Sequence, residues 1–203
     1  IVLKPNLLAP DPPEKCVTTH PAVFKAMAEA LQQAGVNVSF GDSPAVGSTT
    51  LAARRAGLKA VADELGLDRA DFSRGEEVSF PEGIQNKRFN IAKGVLRSDG
   101  IISLPKLKTH GLTVLTGAVK NLYGLIPGYQ KSMLHSRFVS PLDFSGFISE
   151  YYESVRKYVS FNLVDCVISM EGSGPSSGKL KETGYIIGGR NGLAVERACC
   201  RLL

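Results

Sequence analysis

Apolar and polar residues along this chain switch between the period of a strand and the period of a helix. A short apolar run at residues 1–3 ends at Lys4-Pro5-Asn6, which is typical of a buried strand. Residues 18–21, Thr-Thr-His-Pro, predict a helix start with a hydroxyl cap, and Gly35 predicts its end. Residues 36–40 alternate as a second strand. The order strand, helix, strand predicts a βαβ unit with parallel strands.

The rest of the chain continues this alternation of helices and strands. The predicted helices lie at residues 49–66 (broken near Gly57), 91–98, 112–122, 142–158 and 193–203. The predicted strands lie within 70–90 and at 100–104, 161–169 and 185–187, and residues 123–141 and 172–178 are predicted as loops. We therefore expect an α/β fold, a layered and mainly parallel β-sheet flanked by helices, in a single domain over residues 1–203.

Composition excludes several classes of protein without identifying a function. A chain of 203 residues with 43% hydrophobic content suits one domain with a real core and argues against global disorder. No apolar stretch approaches 18 residues, so no membrane helix is predicted. The four cysteines form no C-x-x-C pair, which provides no ligands for an iron–sulfur cluster and suits a reducing, cytoplasmic location. The chain begins at Ile1 and ends inside a predicted helix, so we expect a piece of a longer protein.

The net charge is concentrated in about a fifth of the chain. Lys and Arg number 24 and Asp and Glu 19, which gives a formal net charge of +5. Between Asp99 and Asp143 there is no acidic residue at all, and we call residues 100–142 the basic segment. Its five cations account for the whole net charge of the chain, and it also holds two of the three histidines. These residues are Lys106, Lys108, Lys120, Lys131, Arg137, His110 and His135.

The basic segment is the main candidate for chemistry. Residues 106–110 follow a predicted strand, and the carboxyl ends of parallel strands face the ligand crevice of an α/β sheet. A helix beginning near Leu112 would direct its first amides to the same place, where lysines and threonine hydroxyls can hold an anion. These features predict a pocket for phosphate or carboxylate, with the histidines as proton carriers or metal ligands. The alternative is a solvated basic loop.

Two further groups of polar residues follow other predicted strands. Lys4, Asn6 and Asp42 converge on one sheet edge if their strands are parallel neighbours, and His20 can join them. The alternative role for Asp42 is to form a turn. Asp165 lies within an apolar strand, where a carboxylate needs a partner, and a lysine of the basic segment is the natural one.

The glycine-rich turn after Asp165 has a functional interpretation as well. Residues 171–175, Glu-Gly-Ser-Gly-Pro, allow backbone amides to approach a ligand closely. The turn matches neither a dinucleotide-binding nor a Walker motif, and the common hydrolase signatures are absent. Only Tyr123 and Tyr129 interleave with the lysines of the basic segment, which argues against nucleic-acid binding.

Six motifs together resemble the domain-of-unknown-function 362 family over nearly the whole chain. They are Leu3-Lys4-Pro5-Asn6, Val17-Thr18-Thr19-His20-Pro21, Gly41-Asp42-Ser43-Pro44, Leu104-Pro105-Lys106-Leu107-Lys108-Thr109-His110, Gly117-Ala118-Val119-Lys120-Asn121 and Met170-Glu171-Gly172-Ser173-Gly174-Pro175. The resemblance implies a bacterial or archaeal protein, and many members carry a ferredoxin-like four-iron, four-sulfur domain. This chain lacks the cluster cysteines, and Glu196 stands where an Asp of the family is expected. A fainter similarity, at the level of the fold, is to lactate-racemase-like proteins, which use Lys and His around a nickel-bearing cofactor.

The leading hypothesis is an enzyme-like domain that binds a small phosphate- or carboxylate-bearing ligand in a Lys/His-lined cleft. The candidate catalytic residues are His110, His135, Lys120 and Asp42. The candidate ligand-binding residues are Lys4, Asn6, His20, Lys106, Lys108, Thr109, Asn121, Lys131, Asp165, Glu171 and Gly172. No metal ligand is assigned, and the cofactor and the reaction remain open. The alternative is a non-catalytic redox module that accompanies a ferredoxin-like domain elsewhere in the full-length protein.

Overall fold

The computed structural model describes residues 1–45, 47–128, 130–138 and 140–203, without the side chains of residues 132, 135 and 136. The strands are β1 (Val2–Pro5), β2 (Ser39–Phe40), β3 (Asp68–Arg69), β4 (Gly75–Ser79), β5 (Arg88–Ala92), β6 (Ile101–Leu104), β7 (Lys106–His110), β8 (Val114–Thr116), β9 (Val159–Glu171) and β10 (Lys179–Gly189). The helices are α1 (Pro21–Gln33), α2 (Thr49–Arg55), α3 (Leu58–Glu64), α4 (Lys93–Leu96), α5 (Ala118–Asn121), α6 (Gln130–Arg137), α7 (Pro141–Val155) and α8 (Gly192–Cys199).

Eight of the described strands form one mainly parallel sheet, which confirms the predicted fold class. β3, β2, β1 and β6 pair side by side in parallel. β9 runs parallel to β6 and then to β7, which is separated from β6 by Pro105. β8 and β10 add antiparallel partners to β7 and β9, and β4 pairs with β5 in a separate hairpin. The predicted βαβ unit is present, because β1 and β2 are parallel and α1 connects them.

Strand alternation divides the core between the two faces of the sheet. Val2 and Ile101 belong to an aromatic core under α7, whereas the next residues, Leu3 and Ile102, belong to the core under α1, α2 and α3. Successive side chains of a strand point to opposite faces, so a parallel sheet covered on both faces needs continuous apolar runs. A third cluster joins β7 and β9 to α8. Within the described residues, no helix combines the length and the apolar character needed to cross a bilayer.

The start of α1 was predicted at the right place but with the wrong cap. His20 is the N-cap residue, and its Nδ1 accepts a hydrogen bond from Ala22 N at 3.2 Å. The Thr19 hydroxyl instead donates to the Leu104 carbonyl at 2.5 Å and accepts from Asn6 N at 2.8 Å. Thr19 is fully buried between β1 and β6. Its hydroxyl satisfies buried backbone groups there that have no partner within the sheet, so it is not available to cap the helix.

Two element predictions in the basic segment were wrong. Residues 106–110, for which no element was predicted, form β7, because β9 supplies a parallel neighbour. In the predicted helix 112–122, residues 114–116 form β8 and pair with β7, which leaves α5 only four residues. The predicted loop 123–141 contains α6. Cross-strand pairing overrides local propensity at the two strands, since β7 pairs with the distant strand β9 and β8 then pairs with the neighbouring β7.

Candidate functional site

A cavity of about 110 Å³ lies at the carboxyl ends of the central parallel strands. We call it the lysine cavity, because four lysines from four different parts of the chain line it. The lining residues are Lys4, Asn6, Leu7, Leu8, Asp42, Ser43, Ala45, Lys108, His110, Thr116, Lys120, Asn121, Tyr123, Gly124, Lys131 and Pro175. This edge is where ligands bind in open α/β sheets. The predicted convergence of Lys4, Asn6 and Asp42 is confirmed, and the basic segment supplies much of the opposite wall.

Lys4 and Asp42 form a buried ion pair at the base of the cavity. Lys4 Nζ lies 2.7 Å from Asp42 Oδ1, and both side chains are almost fully buried. Lys4 Nζ also donates to Asn121 Oδ1 at 3.2 Å, and Asp42 accepts from Leu7 N at 2.7 Å. Burial lowers the pKa of Lys4, and the Asp42 carboxylate opposes that shift. Gly124 makes room for the pair, since a Cβ there would overlap Asp42 Oδ1 and approach Lys4 Nζ to 2.7 Å.

Asn121 ties this pair to the centre of the sheet. Its Nδ2 donates to Ser103 Oγ at 2.9 Å and to the Lys4 carbonyl at 3.3 Å. With Oδ1 accepting from Lys4 Nζ, the amide uses both ends, which fixes its orientation. Asn121 therefore holds Lys4 in place at the cavity wall.

Among the described residues, neither Lys108 nor Lys120 forms an ion pair with a carboxylate. Lys108 is fully buried, and its Nζ donates to the Val17 carbonyl at 2.6 Å. Burial and the charge of Lys106 lower the pKa of Lys108 to about 7. Burial and the charge of Lys108 lower the pKa of Lys120 to about 6, against an opposing effect of Glu196. Within the described part of the chain, the Lys120 ammonium makes no hydrogen bond or ion pair.

Lys131 closes the cavity from α6, inside the segment predicted as a loop. Its Nζ donates to the Ser43 carbonyl and, at 3.2 Å, to the Pro44 carbonyl. Burial lowers the pKa of Lys131 to about 8, although Asp42 acts in the opposite direction. The Tyr123 hydroxyl donates to the Lys131 carbonyl at 2.8 Å, so it fixes the helix that carries this lysine. Burial raises the pKa of Tyr123.

His110 lines the cavity with one ring nitrogen already engaged. Its Nδ1 accepts from Leu112 N at 3.1 Å and from Thr113 N at 3.4 Å. An accepting Nδ1 carries no proton, so the proton of the neutral ring is on Nε2. The side chain of the other candidate, His135, lies outside the described residues.

Lys106, Asp165 and His20 form a structural cluster that does not line the cavity. Lys106 Nζ lies 2.9 Å from Asp165 Oδ2, and both side chains are buried, which confirms the predicted pairing of Asp165 with a lysine of the basic segment. Asp165 also accepts from His20 N at 2.9 Å and from Val167 N at 3.3 Å. The His20 side chain is exposed at the start of α1. This cluster fastens α1 to the sheet.

The remaining predicted ligand-binding residues also lie outside the cavity lining. The Thr109 hydroxyl donates to the Gly172 carbonyl at 2.9 Å, which fixes the glycine-rich turn to β7. Glu171 pairs with Lys181 at 3.3 Å across the β9–β10 ladder, with both side chains about 40% exposed. These three residues stabilise the hairpin, and only Pro175 of the turn lines the cavity.

Two residues in or beside the cavity, Thr116 and Glu196, were not among the candidate site residues. Thr116 lines the cavity, and it shares with the predicted residue Asn6 a buried oxygen, Oγ1 and Oδ1, without a hydrogen-bond partner among the described residues. Glu196 reaches from α8 to the chain just before Lys120, where Oε2 accepts from Val119 N at 3.2 Å. Burial raises the pKa of Glu196. The threonines of the acid-free segment were predicted as hydroxyl donors, whereas Glu196 was indicated only by the family resemblance.

The cysteines of this chain are not arranged to bind an iron–sulfur cluster. A four-iron cluster needs four cysteine thiolates at one place. Cys166 and Cys199 share the core cluster under α8, whereas Cys16 lies elsewhere and Cys200 is exposed. The described residues hold no group of three or more His, Cys, Asp or Glu suited to a metal ion.

The fold and the cavity define a class: a mainly parallel α/β domain with a cationic crevice at the carboxyl edge of its sheet. The chain belongs to the family described as Domain of unknown function (DUF362), whose model matches residues 1–201. A curated relative, the thylakoid-associated protein sll1697 of Synechocystis sp., is 31% identical over 187 residues. The match covers 92% of this chain and 57% of the relative, so the chain spans a little over half of that protein.

A solved structure shows the same fold at low sequence identity. The lactate racemase apoprotein of Thermoanaerobacterium thermosaccharolyticum superposes with a TM-score of 0.64 and 14% identity. The match covers 98% of this chain and 47% of the racemase chain. At that identity the likeness concerns the fold alone, which is the level at which the sequence had indicated it.

Proposed function

We propose that this chain is an enzyme-like domain that binds a small phosphate- or carboxylate-bearing ligand in the lysine cavity. The main support is the excess of positive over negative side chains in the described lining of the cavity. Four lysines face one carboxylate, Asp42, and that carboxylate already pairs with Lys4 at 2.7 Å. A buried cation without a carboxylate is costly, and an anion that binds from outside would offset this cost.

An anion would complete the environment of the lysines that lack a carboxylate partner. It would favour the charged forms of Lys108 and Lys131, whose pKa values are lowered to about 7 and 8. Binding should therefore be linked to proton uptake and tighten as the pH falls from 8 to 6. Thr116 Oγ1 provides a hydroxyl donor that has no partner among the described residues. A cavity of about 110 Å³ suits a ligand much smaller than a dinucleotide.

The same cavity contains groups that can move a proton. His110 lines the cavity, and in the neutral form of its ring Nε2 carries the proton, since Nδ1 accepts two backbone hydrogen bonds. Asp42 orients Lys4, and Asn121 orients the same ammonium from the other side. These arrangements support an enzyme whose reaction involves proton transfer at an anionic ligand, with His110, Lys120 and Asp42 as the candidate catalytic residues.

The test is a thermal-shift titration with inorganic phosphate and with small carboxylates at pH 6.5. Wild type is compared with a Lys108→Met, Lys120→Met double variant and with a matched control, Lys179→Met, whose lysine is exposed on β10. We expect at least one anion to raise the Tm of wild type and of the control by several degrees, and to leave the double variant unmoved. Equal shifts in all three proteins, or no shift in any, would overturn the proposal.

A redox module is the second candidate, because the chain covers only 57% of its curated relative. In that case the cluster would belong to a ferredoxin-like domain in the remainder of a longer protein, beside this single domain. Reading the parent gene for C-x-x-C-x-x-C tests this directly: such a motif supports the module, and its absence together with a colourless full-length protein excludes it. A cytoplasmic location also stays a prediction, to be checked by fractionation, since the relative is described as thylakoid-associated.

A further inference from the structure

We propose that Lys120 is a nucleophilic amine that forms an imine with a small ligand carrying both a carbonyl and an anionic group, such as a 2-oxo acid. The anionic half of this ligand rests on the proposed function, whereas the reactivity of the amine does not.

Lys120 differs from the other three lysines of the cavity in what its amine contacts. Lys4 pairs with Asp42, Lys108 donates to the Val17 carbonyl, and Lys131 donates to two carbonyls. A nitrogen held in this way is fixed as a donor. Lys120 makes no such contact within the described residues, although its side chain is half-buried and lines the same cavity. Its nitrogen is therefore the one that can turn its lone pair toward a ligand.

The electrostatic surroundings of Lys120 favour the neutral amine. Partial burial and the charge of Lys108 both act against protonation, and together they lower its pKa to about 6. Desolvation and a neighbouring cation are the two means by which proteins activate a lysine nucleophile. Glu196 is the charged group that opposes them. The other titratable groups around the cavity are Lys4, Asp42, His110, Tyr123 and Lys131.

Imine formation needs no partner beyond these groups. The Nζ lone pair attacks the carbonyl carbon, and the π electrons of the carbonyl move to its oxygen, which takes up a proton. The carbinolamine then expels this oxygen as water, and both protons lost by the amine leave with it. No atom is oxidised or reduced. Proton carriers are at hand, because Glu196 is anchored to Val119 N at 3.2 Å and its pKa is raised by burial. His110 lines the cavity as the second carrier.

The rest of the cavity explains why the carbonyl ligand should also be anionic. Lys108 and Lys131 present two further cations to the same space, and Thr116 presents a hydroxyl. A carboxylate next to the carbonyl would lie among these groups while the carbonyl carbon faces Lys120. A neutral aldehyde would reach Lys120 without using them.

The experiment is reductive trapping with cyanoborohydride at pH 6.5, followed by peptide mass spectrometry. Formaldehyde is the neutral carbonyl probe, and glyoxylate is the anionic one. With formaldehyde we expect Lys120 to be labelled at least tenfold faster than the exposed Lys179, and faster than Lys108, because most of its amine is neutral at this pH. Equal or slower labelling of Lys120 overturns the proposal and leaves the thermal-shift test of anion binding unaffected.

Trapping with glyoxylate tests separately whether the ligand of Lys120 also carries an anionic group. Lys108→Met should slow glyoxylate trapping at Lys120 by about tenfold and change formaldehyde labelling much less. Loss of both to the same extent would reject the anionic ligand class while retaining the reactive amine. Lys120→Arg should abolish trapping at this site in a folded protein. Glu196→Gln should move the pH midpoint of Lys120 labelling downward, since it removes the opposing negative charge, and an unmoved midpoint would exclude Glu196 from this role.

Discussion

Two lysines that lie two residues apart on β7 have opposite roles. Lys106 and Lys108 are both buried, and strand alternation places them on the same face. Lys106 has Asp165 at 2.9 Å, whereas Lys108 has the Val17 carbonyl at 2.6 Å. A carboxylate neutralises the first charge and makes it part of the framework. The second charge is hydrogen-bonded but not neutralised, so it remains available to an anion from outside.

The same division holds for the two regions to which these lysines belong. The ion pairs Lys106–Asp165 and Lys4–Asp42 are fully internal, and each carboxylate also accepts backbone amides of distant segments. The region around Lys108 and Lys120 lacks such carboxylates in the described lining. Breaking an ion pair that is buried within the protein destabilises the fold, whereas a charge left unpaired beside a cavity supports the proposed anion site.

Breaking the paired region should have the largest effect on stability. Asp165→Asn leaves Lys106 as a buried cation without its partner, and we expect the free energy of unfolding to fall by about 3–5 kcal/mol. Urea denaturation at pH 7 measures this loss. Adding Lys106→Met to the variant should recover part of it, because the unpaired charge is then removed. A loss below about 1 kcal/mol would contradict the structural role of the pair.

Replacing the unpaired lysine should have a smaller effect, and one that depends on pH. Lys108 has a pKa of about 7 in the folded protein against 10.5 for an ordinary lysine, so the unfolded chain binds more protons between these values. Stability should therefore rise as the pH rises from 7, by up to about 1.4 kcal/mol per pH unit from this lysine alone. Lys108→Met should remove that increment, which denaturation between pH 7 and 9 would measure. Identical slopes in variant and wild type would show that Lys108 is not held neutral.

The exposed pair should matter least. Glu171→Gln breaks the contact with Lys181 at the surface of the β9–β10 hairpin, where an ion pair contributes about 0–1 kcal/mol. We expect a stability change below about 1 kcal/mol and an unchanged phosphate-induced Tm shift. A lost phosphate response would bring Glu171 into the binding site, where the sequence had placed it.

Much of the site could be predicted because its parts follow strands. Lys4, Asn6 and Asp42 each come just after or at the end of a buried strand, and parallel strands bring such positions together. The absence of acidic residues between Asp99 and Asp143 indicated, from the sequence alone, the segment that forms the opposite wall of the cavity. Local pattern also located α1 and α7, whose Pro residues at the first turn and amphipathic spacing are signals within the segment itself.

The errors have different physical reasons. β8 was predicted as helix, but the distant strand β9 holds β7 in the sheet, and β7 then offers β8 an edge to pair with. α6 lies in a polar segment with no apolar stripe that would indicate a helix. Glu196 accepts a hydrogen bond from Val119 N, which lies 77 residues away in the sequence. No local sequence pattern can therefore indicate this contact. Lys106 and Lys108 looked equivalent, and only the position of Asp165 separates them.

The sequence alone determined that the chain forms a mainly parallel α/β sheet and that its whole net charge belongs to one segment, because periodicity and composition are local properties. The tertiary structure decided which of those charges are neutralised. Whether a lysine is paired depends on what lies within about 4 Å of its nitrogen. Lys106 has Asp165 of β9 and Lys108 has the Val17 carbonyl before α1, whereas the described residues place no such partner at Lys120. Folding thus divided one cationic segment into a framework and a cavity.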